Sequence, residues 1–141
     1  MKTVKEYPPN YAQLQMFFPL DLEYYPPLFP YGDTLYAPHH DDIPDDVMFH
    51  EDIHSKQQAN DPAKWWMRYC TDPMFRIREE LQAYASQYLW IRNKYGAQAG
   101  EEAIEELADN LSSPLYNLNI SHGEAKCKIR NRAKRIMDLK D

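Results

Sequence analysis

His50-Glu51-Asp52-Ile53-His54 is the stretch from which the rest of the chain can be read. On a helix, residues four apart share a face, so His50 and His54 can aim ring nitrogens at one ion. Neutral imidazole is a good ligand for Zn²⁺. Glu51 follows the first histidine and can lean over an open coordination position. There its carboxylate can take a proton from metal-activated water. The plainer reading is a helix with two core or solvated histidines and a surface glutamate.

Working outward, Pro44 suits the first turn of this helix, and Asp45 and Asp46 suit its positive dipole end. The helix is expected to run to about Ala59. Val47, His50, Ile53, His54 and Gln57 fall on one stripe, which puts both histidines on the buried side. Upstream, Thr34-Leu35-Tyr36-Ala37 reads as a short strand between the Gly32-Asp33 turn and Pro38. An edge strand just before such a helix can pair with an extended peptide, making Leu35 and Tyr36 candidate substrate contacts. A purely structural strand is the alternative. Residues 1–32 are rich in Pro and Tyr, which disfavours a long helix. They read as an irregular arm, with Tyr11 to Phe18 a short helix or turn.

Downstream, Asn60 or Asp61 can cap a second helix with Pro62 in its first turn. Trp65, Trp66 and Tyr69 on it read as core rather than cofactor contacts. Asp72-Pro73 repeats the start signal, and a third helix is expected from about Pro73 to Tyr95, with Gly96 as its cap. An acidic helix over 100–111 follows, then a loop at Ser112-Ser113-Pro114. Ser121 and Glu124 fit a capping box for a last helix reaching about Leu139. The fold class is α+β, predominantly helical. One domain, 1–141, comprises the arm (1–32), a metal-site core (33–95) and C-terminal helices (96–141).

Composition bounds the function. A chain of 141 residues with 43% hydrophobic residues can bury one core. No apolar run approaches the ~18 residues that span a membrane. No apolar segment follows Lys2 and Lys5, so no secretory signal is read. Cys70 and Cys127 are isolated and read as reduced, mostly buried thiols, which together with the missing signal suggests a cytoplasmic protein. A net charge of −6 argues against general nucleic-acid binding. The basic run Lys126, Lys128, Arg130, Arg132, Lys134 and Arg135 reads as a solvated helix face.

Two imidazoles do not complete a catalytic zinc site; a third protein ligand is expected, leaving the fourth position to water. A Gly-x-x-His extension after His54 is absent. The third helix offers Glu79 and Glu80. Its apolar stripe is Met74, Ile77, Leu81, Tyr84, Ala85, Tyr88 and Ile91. Glu80 lies about 90° from the centre of that stripe, and Glu79 roughly opposite it, towards solvent. Glu80 is therefore the better ligand; a salt bridge to Arg76 is its structural alternative.

With His50-Glu51-x-x-His54 followed by Glu80-x-x-Ala83, residues 34–95 resemble a minimal gluzincin, the thermolysin-like branch of the zincin metallopeptidases. The resemblance implies His50, His54 and Glu80 as Zn²⁺ ligands, Glu51 as general base and acid, and a substrate-binding strand at Thr34 to Ala37. Tyr84 stands where that family often carries an acidic residue that orients the first histidine, so another group must do so here. A second electrophile usually supports the oxyanion, and Tyr116 and His122 are candidates. The expected function is hydrolysis of a peptide or protein substrate. The alternatives are a metal-stabilised binding module without turnover and a metal-free interaction protein.

Overall fold

The computed structural model describes residues 1–20 and 26–140. Strand β1 (Lys2–Val4), helix α1 (Tyr11–Phe17), β2 (Phe29–Tyr31) and β3 (Thr34–Tyr36) come first. Five longer helices follow: α2 (Asp45–Gln57), α3 (Pro62–Thr71), α4 (Pro73–Tyr95), α5 (Ala97–Leu111) and α6 (His122–Lys140). A 3₁₀ turn at Pro114–Tyr116 links the last two. The molecule is thus α+β and mostly helical. No helix among the described residues is long and apolar enough to cross a membrane.

The helix starts follow from local chemistry. Asp61 accepts from the Lys64 amide, and Asp72 accepts from the amides of Met74 and Phe75. These two side-chain acceptors satisfy three of the amides that helix starts leave unpaired. Gly96, with φ of +100°, ends α4 and lets α5 turn back on it. At Gly100 a side chain would meet the Arg92 Cβ at 3.1 Å, so the bare backbone allows the close approach of the two helices. The capping box closes in both directions: the Glu124 amide donates to Ser121 Oγ at 3.1 Å, and the Ser121 amide to Glu124 Oε1 at 3.5 Å.

Two expectations about the beginning of the chain are corrected. The three strands lie in the order β1-β3-β2, with β1 parallel and β2 antiparallel to β3. Thr34 to Tyr36 is therefore the central strand, not an edge. Leu35 is fully buried, and both sides of the strand are already paired, so Leu35 and Tyr36 offer no backbone to a substrate. Nor are residues 1–32 an irregular arm: they supply two of the three strands and helix α1. Three-residue strands carry too few alternating positions to announce themselves. Pro30 in β2 hides its strand further, although an edge strand tolerates proline. Residues 21–25 of the expected arm lie outside the described residues.

The core has two parts, both touching α4. Tyr84, Ala85, Tyr88 and Leu89 of α4 pack with Ile104, Leu107 and Leu111 of α5 and Ile129 of α6. Phe75, at the other end of α4, joins Leu14, Phe18, Phe29, Trp65, Trp66, Tyr69 and Cys70. Met74 falls outside both and is 76% exposed, although Phe75 and Arg76 in the same first turn are buried, so the buried face of α4 there runs through Phe75 rather than Met74. The basic run of α6 is partly paired: Lys126 meets Glu105, and Arg130 meets Glu101, across to α5. Cys70 is buried, which pushes its thiol up to about 11, whereas Cys127 is exposed rather than buried.

Candidate metal centre

Helix α2 presents His50, Glu51 and His54 towards α4, which answers with Glu80, Tyr84 and Gln87. His50, His54 and Glu80 are each no more than 4% exposed. Glu80 Oε1 lies 3.3 Å from His50 Nε2 and 3.1 Å from His54 Nε2. One donor atom from each of the three residues can be chosen so that all lie within 4.8 Å of one another. Tetrahedral Zn²⁺, at about 2.0–2.1 Å from N and O, needs donors about 3.3–3.4 Å apart. The donor set and its spacing fit such an ion.

The hydrogen bonds behind the imidazoles decide which nitrogen faces inward. Gln87 Oε1 lies 2.9 Å from His50 Nδ1, while Gln87 Nε2 donates to Asp46 Oδ2 at 2.8 Å. An ionised carboxylate only accepts, so the Gln87 amide cannot be turned around. Its oxygen faces His50, and His50 Nδ1 must carry the proton. The same logic holds at His54. Gln57 Nε2 donates to the Glu79 carbonyl at 3.0 Å and to Gln82 Oε1 at 2.9 Å, which leaves Gln57 Oε1 against His54 Nδ1 at 2.7 Å. In neutral imidazole the other nitrogen, Nε2, then holds a lone pair. Two lone pairs and a carboxylate oxygen therefore converge, an arrangement that could hold a cation between them.

In the metal-free chain that cation is a proton. Burial pulls His54 down, but the charge and hydrogen bond of Glu80, the charge of Glu51 and the Gln57 contact outweigh it and bring the pKa to about 9. Burial raises the Glu80 carboxyl, yet the two histidines overcome it and hold Glu80 well below the usual carboxylate range. Tyr69 fixes the other Glu80 oxygen, donating to Oε2 at 2.5 Å. Glu79, expected to face solvent, is half-buried and accepts from Trp65 Nε1 at 3.0 Å. Arg76 does not pair with Glu80.

Glu51 is 9% exposed, and among the described residues no side chain hydrogen-bonds its carboxylate. Burial raises its pKa, against the lowering influence of the histidines. It lines a cavity of about 470 Å³ that also contains His50, His54, Glu80 and Tyr84. Asp52 points elsewhere, to Lys56 at 3.0 Å.

Of the two oxyanion candidates, Tyr116 lies at the cavity and His122 does not. The Tyr116 hydroxyl is 2.6 Å from that of Tyr84, whose ring meets His50 edge-on at 4.4 Å. One of these hydroxyls donates to the other, which leaves one O–H free for the cavity. Arg76 holds the Tyr116 loop in place. Its Nε donates to the Tyr116 carbonyl at 2.8 Å and its Nη2 to that of Asn117 at 3.1 Å, while Nη1 reaches the Tyr69 carbonyl at 2.7 Å. His122 instead sits on the surface between Asp109 at 2.7 Å and Glu105 at 2.9 Å.

Sequence reasoning missed Gln57, Gln87, Asp46, Tyr69 and Arg76. Two signals were available. Gln87 is seven residues, or two turns, beyond Glu80 and so shares its face; Gln57 stands in the same relation to His50 and one turn beyond His54. Trp65, Trp66 and Tyr69 are core, as expected, but they also wall the cavity. Compared with known proteins, the chain matches no family model, no curated protein and no solved structure.

Proposed function

We propose that the chain is a zinc-dependent peptidase with a zincin-like centre: His50, His54 and Glu80 hold the ion and Glu51 is the general base. The observation that carries this reading is the convergence of two Nε2 lone pairs and the Glu80 carboxylate beside Glu51, whose carboxylate no side chain among the described residues hydrogen-bonds. Structural zinc sites are closed by four protein ligands, whereas catalytic ones use three and keep a position for water. Three ligands bordering a cavity favour turnover over a purely stabilising role.

Bound there, Zn²⁺ would supply Lewis acidity that makes water a nucleophile near neutral pH. Glu51 takes the proton from that water and passes it to the departing amine, both within one buried cavity. The free hydroxyl of the Tyr84–Tyr116 pair donates to the carbonyl oxygen as charge gathers on it. Gln57 and Gln87 keep the imidazoles in the tautomer that presents Nε2.

Elemental analysis of the full chain tests the first half. About one zinc per chain is expected, lost in His54→Ala and in Glu80→Ala. Glu51→Gln tests the second half: zinc content stays and peptide hydrolysis disappears. A parent chain that takes up no zinc after reconstitution would overturn the metal centre. Undiminished hydrolysis by Glu51→Gln would remove Glu51 from the mechanism.

A further inference from the structure

Helix α6 carries a row of positive charge that the fold leaves unanswered. Ala125, Ile129 and Ala133 turn into the core, each no more than 2% exposed. Lys126 and Arg130 lie on the flank beside α5, where Glu105 and Glu101 neutralise them. At about 100° per residue, Lys128, Arg132 and Arg135 fall on the opposite flank. Lys128 and Arg135 are exposed and Arg132 is half-buried. None of the three makes an ion pair or a side-chain hydrogen bond among the described residues. The acids nearest to them along α6 are Glu124, which closes the capping box with Ser121, and Asp138, on the back of the helix.

That flank borders a groove. Ile136, one turn beyond Arg132, lines a cavity of about 330 Å³ together with Phe49 of α2 and Leu89, Trp90 and Asn93 of α4. The rings of Phe49 and Trp90 stand 6.4 Å apart. Phe49, Trp90 and Ile136 are half-buried, so a ligand that covers them gains by removing apolar surface from water. The cavity shares no lining residue with the metal cavity. On the α2 wall the exposed charges cancel. Asp45 lies 4.0 Å from Lys94 Nζ, which also sits over the Trp90 ring at 4.8 Å, and Asp52 pairs with Lys56 at 3.0 Å. Asp46 is turned inward to Gln87. The groove is thus apolar along its floor and positive along one wall.

A helix with an apolar stripe and one acidic flank matches such a groove. A nucleic-acid strand matches it less well. Its phosphates need cations along their whole path, but the lysines of the α2 wall are already paired and the chain's net charge is −6. We propose that the groove between α2 and α6, floored by α4, docks an acidic amphipathic helix of a partner protein. Its apolar residues seat on Phe49, Trp90 and Ile136, and its carboxylates run along Lys128, Arg132 and Arg135.

Three fluorescent, end-blocked helical peptides of about four turns test this. All carry the same leucine stripe, and they differ only on one flank, which holds Glu, Gln or Lys. Anisotropy titrations with the full chain are expected to show the Glu peptide binding at least about tenfold tighter than the Lys peptide, with the Gln peptide between them. High salt should remove most of that difference. Lys128→Glu combined with Arg135→Glu, both at exposed positions, should reverse the order while the melting temperature holds. Trp90→Ala should weaken all three peptides alike.

No binding of the Glu peptide overturns the proposal, and so does equal binding of the Lys peptide. A preference for Glu that survives the double charge reversal overturns it too, because the peptide then sits elsewhere. A single-stranded oligonucleotide that displaces the Glu peptide and binds more tightly replaces the partner class. A salt-sensitive dimer of the parent in sedimentation, lost in the double variant, gives the groove to a second copy instead. Zinc content bears on none of these outcomes.

Discussion

The side-chain oxygen of Gln87 faces Nδ1 of His50 at 2.9 Å, and this contact determines the chemistry of the opposite edge of the ring. Because Asp46 holds the Gln87 amide nitrogen, the orientation is set from α2 through α4 and back to α2. Removing the amide frees the imidazole to rotate and to change tautomer. Gln87→Leu should therefore weaken zinc binding by about 10–100-fold, as measured by competition with a chromogenic chelator. Gln87→Glu combined with Asp46→Asn rebuilds an acceptor towards His50 and a donor towards residue 87, and should recover most of the affinity. Unchanged affinity in Gln87→Leu would show that packing alone orients His50.

Stability of the metal-free chain should depend on pH through the same cluster. The folded pKa of His54, about 9, lies above its ordinary 6.5. Its contribution is thus fully present below about pH 6.5 and is lost as the pH climbs through 9. Glu80 is shifted the other way, so its contribution is present above its ordinary 4.5 and disappears as the solution is acidified. With chelator present, the melting temperature should fall between pH 6.5 and 9. Saturating zinc should flatten that fall, because the ion replaces the proton. A chelated sample that gains stability over this range would contradict a proton-bridged cluster.

Tyr84 and Tyr116 share one hydrogen bond and so have one hydroxyl proton to spare. If Tyr116 delivers that proton to the carbonyl oxygen, Tyr116→Phe should lower kcat by about 100-fold with zinc content unaltered, the scale of losing one oxyanion donor. Tyr84→Phe leaves the Tyr116 hydroxyl free to point at substrate and should cost far less. The reverse order would transfer the role to Tyr84.

Arg76 is a buried cation whose guanidinium donates to backbone carbonyls, tying α3 to the loop after α5, and lies over the rings of Phe18 and Tyr69. Arg76→Ala leaves those carbonyls without partners and should cost about 3 kcal/mol of stability in urea denaturation. Arg76→Lys keeps the charge but cannot span both segments, and an intermediate loss of about 1–2 kcal/mol is expected. A loss within experimental error for Arg76→Ala would mean that water replaces the guanidinium at little cost.

The sequence was most legible where one residue controls local geometry. Pro62 and Pro73 after aspartates, Gly96, and Ser121 with Glu124 marked helix ends within a residue or so of those observed. The spacing of His50, His54 and Glu80 was legible because two helical faces suffice to bring them together. Pairing between distant strands was not. Nothing in Lys2–Val4 or Phe29–Tyr31 announces that Thr34–Tyr36 lies between them, since that depends on partners about thirty residues apart and on neighbours in sequence alike. The supporting glutamines were missed for a related reason. A buried amide is recognisable only when both of its hydrogen-bonding ends are seen at once.

Leu14, Phe18 and Phe29 stand on the cavity wall and also pack against α3, while β1 is stitched to β3 by the Lys2 amide to the Asp33 carbonyl and the Ala37 amide to the Val4 carbonyl. The opening residues of the chain are thus partners in whatever the cavity holds. Occupancy should be legible at the backbone: deuterium uptake at the amides of Phe18 and Ala37 should slow when a ligand fills the cavity, although neither amide need touch it. Trimming the first four residues should then loosen ligand binding while leaving His50, His54 and Glu80 in register.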